Sequence, residues 1–273
     1  MREVVIRDGN TIAKVMPAFG GVVSSFCVEG TEVLRMNEKD LGIANCLAGG
    51  IPVLFPFSSK VENDTYSIDG VEYTMPMHGF VKDMPFAVES ASENAVTVYA
   101  ANSEAIKKQS FPFDFLLHIE YKVNDSSLFI KATVENLSDK RMPFYIGWHT
   151  YFKTSSKADT EFTFDFKEYT SYLDASKGSL ENEKLNLNLP LDHVYKGIGE
   201  KKYTLTNYAD GYEAQTIVDD MHEVLTVCTA FDDCACIEPW TAVPNAINTG
   251  EKLRYVEPKS SVSCGFEIKV RLL

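Results

Sequence analysis

Apolar and polar residues alternate with a period of two along much of the chain. Leu117, Ile119, Tyr121 and Val123 alternate with His118, Glu120 and Lys122; Phe162, Phe164 and Phe166 alternate with Thr163, Asp165 and Lys167; Phe266, Ile268, Val270 and Leu272 mark a last run. Successive side chains of an extended strand point to opposite faces, so each run predicts a strand with one buried face. Asp8-Gly9, Asp69-Gly70 and Asp210-Gly211 lie between the runs and supply the positive φ angles that tight hairpins require. Val71-Glu72-Tyr73 resumes extended structure after the second of these turns. Helical signals are sparse, and Asn102 to Gln109 predicts only a short helix or turn. Many strands with few helices predict packed antiparallel sheets, an all-β fold. The stretch from Ser171 to Gly199 is polar, with Lys and Asn alternating with Leu near 184–190, and reads as a long insertion or loop. No linker, composition shift or internal repeat divides the chain, so residues 1–273 are expected to form one domain.

Composition narrows the possible partners. With 45% hydrophobic and 24% charged residues over 273 positions, the chain can bury a large core, which excludes disorder. Its 26 Lys+Arg and 39 Asp+Glu give a formal net charge of −13, so the average surface repels nucleic acid and acidic lipid headgroups; distributed acidity otherwise serves solubility. The expected partner list therefore contains no nucleic acid and no membrane. Six cysteines stand at 27, 46, 228, 234, 236 and 264, but a chain of this size needs no covalent staples. Cys234-Ala235-Cys236 places two thiols on one strand face without the second Cys pair or close His that a zinc site wants. The stretch Met1 to Gly9 is charged where a signal peptide is apolar, and no apolar run reaches about 18 residues. A cytosolic protein is the simplest expectation.

Four segments look unlike scaffold. Gly49-Gly50-Ile51-Pro52-Val53-Leu54-Phe55-Pro56 lets backbone approach something closely, although a bulged edge strand reads the same way. Met75-Pro76-Met77-His78-Gly79-Phe80-Val81-Lys82-Asp83 sets a histidine near a cation and a carboxylate, and Ile146-Gly147-Trp148-His149-Thr150-Tyr151-Phe152 sets another among aromatic residues. Cys236-Ile237-Glu238-Pro239-Trp240 follows an apolar strand; flanked by Ile237 and Trp240, the Glu238 carboxylate is expected to be partly desolvated, with a pKa raised toward that of a useful general base. His78, His149 and Glu238 make a minimal acid–base set. They also make a minimal two-His, one-carboxylate metal set, but without the short helical spacing of metal motifs. Singly, each also fits a structural role: a satisfied core histidine, or a glutamate ending a strand. His118, His193 and His222 read as structural or surface histidines.

Taken together, in this order and approximate spacing, the four segments resemble the galactose mutarotase (aldose 1-epimerase) superfamily. Val134-Glu135-Asn136 followed by Met142-Pro143 adds to the likeness, which extends over roughly residues 1 to 272. The resemblance implies a single-domain antiparallel β-supersandwich with a cleft on one sheet. It also implies cofactor-free interconversion of the α and β anomers of an aldose, with no metal. Opening the hemiacetal ring needs a base for the C1 hydroxyl proton and an acid for the ring oxygen; after rotation about C1–C2 the roles reverse. By position, Glu238 matches the family's general base, His149 its general acid and His78 the second histidine near the ring oxygen. Trp240, with Trp148 or Tyr151, can offer an aromatic wall to the sugar, and Lys82 and Asp83 can bond its hydroxyls. The implied partner is a small-molecule sugar, an aldohexose, bound by a monomer or homodimer.

The branch that acts on hexose 6-phosphates commonly carries an Arg before Gly-Gly-Ile-Pro and another after His-Gly-Phe, a pair suited to clamping phosphate. Those positions here are Ala48 and Lys82. The Glu-Pro-Trp ending is more similar to mutarotase-related proteins found with bacterial sugar operons, so an unphosphorylated aldose is expected. A hexose-6-phosphate epimerase and a non-catalytic sugar-binding or sensor protein are the alternatives. A glycoside-processing enzyme would need a second carboxylate across the bond, and the motifs nominate only Glu238.

Overall fold

The computed structural model describes residues 3–44, 46–165, 168–179, 185–197 and 199–273, nearly all in antiparallel strands and their connections. Phe166, Lys167 and the start of the alternation at 184 lie outside the described residues. Among the described residues, one eight-stranded sheet runs in the order Thr160–Phe164, Lys202–Asn207, Tyr212–Val218, Ser261–Leu272, Ser127–Asn136, Phe115–Asn124, Ala95–Ala101, Ala87–Ala91. A second runs Lys177–Ser179, Glu168–Ser171, Asp192–Lys196, Val224–Cys228, Cys234–Trp240, Gly147–Trp148, Val53–Leu54, with Thr150–Lys153 also paired to Cys234–Trp240. A four-stranded meander, Val4–Asp8 to Thr31–Glu32, adds a further layer.

The period-two runs form the first sheet for the expected reason. Leu117, Ile119, Tyr121 and Val123 are fully buried, as are Phe266, Ile268 and Val270 to within a few per cent. Leu272 departs from its run and is exposed at the end of the strand. Asp69-Gly70 closes the hairpin between Thr65–Ile68 and Val71–Thr74 with both residues left-handed, at φ 52° and 79°. The short helix forms at Glu104–Gln109, where the Ser103 hydroxyl accepts the Ile106 N–H at 3.3 Å as an N-cap. No helix among the described residues is long and apolar enough to cross a membrane.

The stretch 171–199 is not an insertion outside the fold. It supplies two strands of the second sheet, and Leu185, Leu187 and Leu191 bury into the core. Alternation fails as a signal there because the strand Asp192–Lys196 carries polar residues on the face it shares with the candidate site, where Asp192 stands opposite Cys228. One continuous apolar cluster reaches from Val4 to Val270 and joins the inner faces of both large sheets. Behind the second sheet it is rich in aromatic rings: Phe57 stacks on Tyr145 with centroids 4.7 Å apart, and Phe55 packs edge-on to Phe115 at 5.0 Å. The strands that present His149 and Glu238 thus rest on a close-packed floor.

Candidate functional site

The site is built around the strand Cys234–Trp240, every residue of which is buried. Glu238 stands directly opposite Thr226 on one neighbouring strand, while Ile237 pairs with Thr150 on the other and brings His149 alongside. Two residues further on, Trp240 pairs with Gly147. A Cβ at 147 would run into the indole, so glycine at that position is what lets Trp240 lie across the strand.

His78 is held by backbone rather than by side chains. Residues 78 and 79 are both left-handed, at φ 66° and 73°, and a Cβ at 79 would collide with the Phe55 carbonyl, so the turn requires Gly79. The His78 N–H donates to the Ser59 carbonyl at 2.9 Å, and the Ser59 N–H donates back to His78 Nδ1 at 3.1 Å. An Nδ1 that accepts a hydrogen bond carries a lone pair, so the ring is neutral with its proton on Nε2. Burial, and then the nearby Lys82 ammonium, push His78 down to about 4. His78 is therefore a neutral hydrogen-bond donor near pH 7.

His149 meets His78 edge to face at 5.6 Å and stacks on Tyr151 at 4.4 Å, and its backbone N–H donates to the Pro52 carbonyl at 3.2 Å. Its Nε2 lies 3.2 Å from Glu238 Oε1. Burial, then the charge of a protonated His78, lowers the His149 pKa well below its ordinary value. Glu238 is 2% exposed, and burial pushes its carboxyl well above the usual range; Cys228 and Asp192 add to this, and Trp240 offsets part of it. Both partners are thus biased to their neutral forms, with one proton on the carboxyl between them.

Glu238 Oε2, His149 Nδ1, Thr226 Oγ1 and Trp240 Nε1 are buried and have no hydrogen-bond partner of good geometry among the described residues. Unpartnered buried polar atoms are rare because each costs about 1–3 kcal/mol. Four in one place, around Glu238, form a buried polar cluster whose unmet hydrogen bonds suit a ligand rich in hydroxyls.

The structure thus brings together His78, His149, Glu238, Tyr151 and Trp240, whose ring lies 6.2 Å from His78. Lys82 and Asp83 stand beside this group. Lys82 Nζ donates to the Gly79 carbonyl at 3.0 Å and to Asp83 Oδ2 at 2.6 Å, bracing the turn that carries His78. The ion pair also lines an adjoining cavity of about 250 Å³ with Phe19, Met36, Ala48 and Pro52. Trp148 points the other way, into the core against Phe266 and His222. Among the described residues no group of three or more His, Cys, Asp or Glu side chains is placed to hold a metal ion.

Three contributors escape sequence reasoning. Asp192 is a second carboxylate near Glu238, itself raised by burial. Thr226 faces Glu238 across the strand pair. Ser59 acts through its backbone N–H, which leaves no signature in the sequence.

The comparisons with known proteins agree with this architecture. The family model described as aldose 1-epimerase matches residues 2–263, and the chain belongs to that family. It is 25% identical to protein LacX (plasmid) of Lactococcus lactis subsp. lactis over 236 residues, 75% of this chain and 78% of that one. Among solved structures, the Slr1438 protein of Synechocystis sp. PCC 6803 superposes with a TM-score of 0.92 at 26% identity, covering 99% of this chain and 96% of that one. A galactose mutarotase related enzyme from Lactobacillus acidophilus superposes at 0.86 with 20% identity over 98% and 97% of the two chains, a likeness of fold.

Proposed function

We propose that the protein is a cofactor-independent aldose 1-epimerase that interconverts the anomers of an unphosphorylated aldohexose, working as one cytosolic domain over residues 1–273. The observation that carries this reading is the His149 Nε2–Glu238 Oε1 approach of 3.2 Å, flanked by the donor His78 and ringed by unpartnered polar atoms. A sugar entering there supplies hydroxyl donors to Glu238, and Thr226 and Trp240 turn their own donors to the same carboxylate. Those hydrogen bonds favour the ionised form, so the shared proton moves to His149.

The bound state then holds a base and an acid. Glu238 takes the proton of the C1 hydroxyl as His149 gives its proton to the ring oxygen, and the C1–O5 bond opens to the aldehyde. His78, fixed as the Nε2–H tautomer, donates a hydrogen bond near the ring oxygen without losing its proton. After rotation about C1–C2 the transfers run in reverse and close the ring on the other face, with no net proton consumed. Each positioned transfer contributes on the order of 10²–10⁴-fold. Asp192 accepts sugar hydroxyls, and Tyr151 and Trp240 wall the apolar face of the ring.

Charge argues for an unphosphorylated substrate. Ala48 offers no cation, Lys82 is engaged by Asp83 at 2.6 Å, and Asp192 adds negative potential near Glu238. Polarimetry on freshly dissolved α-glucose and α-galactose tests the activity, and calorimetry with glucose and glucose 6-phosphate tests the charge preference. Acceleration with stronger binding of the neutral sugar is expected. No acceleration with any common aldose would refute the epimerase reading, and tighter phosphate binding would favour a hexose-phosphate epimerase.

A further inference from the structure

Asp192, Cys228, Cys236 and Tyr151 form one row across four adjacent strands, each directly opposite the next. Cys234, two residues before Cys236, shares its face, and the three thiols pack into one cluster with Tyr151. All six cysteines are free thiols, so this cluster is reduced in the structure. Directly opposed residues of antiparallel strands have Cα atoms about 4.5 or 5.5 Å apart. Both values fall inside the roughly 4.4–6.8 Å that a disulfide spans. Cys228 and Cys236 therefore stand within the Cα range of a disulfide.

The two thiols also differ in the way that an oxidisable pair requires. Cys228 is half-buried, and its thiol is lowered from its ordinary value by Cys236, with the Ala230 N–H and Lys157 helping, although burial and the facing Asp192 carboxylate oppose them. Cys236 is fully buried and raised by burial. A partly exposed thiol that ionises more readily than its buried partner is the one an oxidant reaches first, and the neighbour then resolves it.

We propose that Cys228 and Cys236 are an oxidation site, at which a peroxide converts the two thiols into a disulfide that disturbs the adjacent catalytic row. The Cys228 thiolate attacks one peroxide oxygen; the O–O bond breaks, Cys228 becomes a sulfenic acid, and the departing hydroxide leaves as water. Cys236 then attacks the Cys228 sulfur and expels the hydroxyl, which leaves as water with the proton that Cys236 gives up. Two thiols have lost two protons and two electrons, and one peroxide has become two waters. The new bond draws Cys236 away from Tyr151, the ring on which His149 stacks, two residues from Glu238 on the same face. The oxidation chemistry stands on the thiol geometry alone; its effect on turnover rests on the epimerase reading.

The test treats the purified protein with hydrogen peroxide, counts thiols with a maleimide, maps links after cleavage at Asp232 and Asp233, and follows glucose anomerisation before and after dithiothreitol. The expected result is loss of two of the six thiols, a link between the segments bearing Cys228 and Cys236, and a several-fold fall in turnover that the reductant reverses. Cys228→Ser should keep all its remaining thiols at the same dose, and Cys234→Ser should still form the link. Retention of all thiols, over-oxidation of Cys228 alone, or a link that needs Cys234 would overturn the proposal. A disulfide that leaves turnover unchanged in an active preparation would overturn the coupling. A reduced protein with no turnover would count against the epimerase reading and leave the thiol result standing.

Discussion

The Ser59 backbone N–H donates to His78 Nδ1 at 3.1 Å, and this single bond decides what His78 can do. A protonated imidazole has no lone pair at Nδ1, so the fold holds the ring neutral with its Nε2–H free to donate. Nitrogen-resolved NMR should show His78 as the Nε2–H tautomer, titrating near its lowered value of about 4. Titration close to the ordinary histidine value of about 6.5 would contradict the assignment.

The burial that depresses its pKa, with Lys82 adding, links His78 to acid stability. A histidine whose folded pKa is depressed binds fewer protons folded than unfolded, so it costs stability as the pH falls from about 6.5 toward about 4. His78→Gln should flatten that part of the dependence. Urea midpoints measured across this range give the check, and equal slopes for both proteins would speak against it.

Glu238 has the opposite sign. Its raised folded pKa means that the folded state holds a proton which the unfolded state releases, so stability is lost as pH rises from the ordinary carboxyl value through the raised one. Glu238→Gln removes that loss. The variant should melt higher than wild type at neutral pH, with the gap narrowing on acidification; a melting temperature equal to or below wild type throughout would show that the carboxylate is not destabilising.

Much of this architecture is legible from sequence, and the exceptions have physical causes. Phe115–Asn124 is readable because one face meets the core and the other meets water. Val224–Cys228 and Cys234–Trp240 are buried on both faces, so no alternation betrays which residues surround Glu238, and Thr226 is hidden in an apolar run. Asp192 is missed because a strand that turns polar residues toward the candidate site resembles a loop. His78, His149 and Glu238 stand out through their unusual neighbours, while the mutual pairing of Lys82 and Asp83 follows from a 3-10 turn at 81–83 that sequence does not announce.

Asp192 is expected to act twice. Asp192→Asn should raise KM for the sugar by losing an acceptor. It should also remove a negative charge that helps hold Glu238 up, moving the acidic limb of the pH–rate profile to lower pH. A KM and profile unchanged from wild type would place Asp192 outside the site.

Gly79→Ala forces a Cβ into the Phe55 carbonyl at a left-handed residue of φ 73°. A cost on the order of 1–3 kcal/mol follows, with loss of turnover as His78 shifts. Denaturant midpoints and polarimetry on the same preparation measure both; wild-type values for each would mean that the turn does not position His78.

The central claim is that Glu238 and His149 exchange protons with the sugar. Saturation-transfer NMR on equilibrated glucose and galactose reads anomer exchange directly, without a change in concentration. Wild type should transfer saturation between the α and β anomeric resonances, and Glu238→Gln, folded and still binding sugar, should slow that exchange by on the order of 10²–10⁴-fold. Equal exchange by wild type and Glu238→Gln across these aldoses would contradict the account.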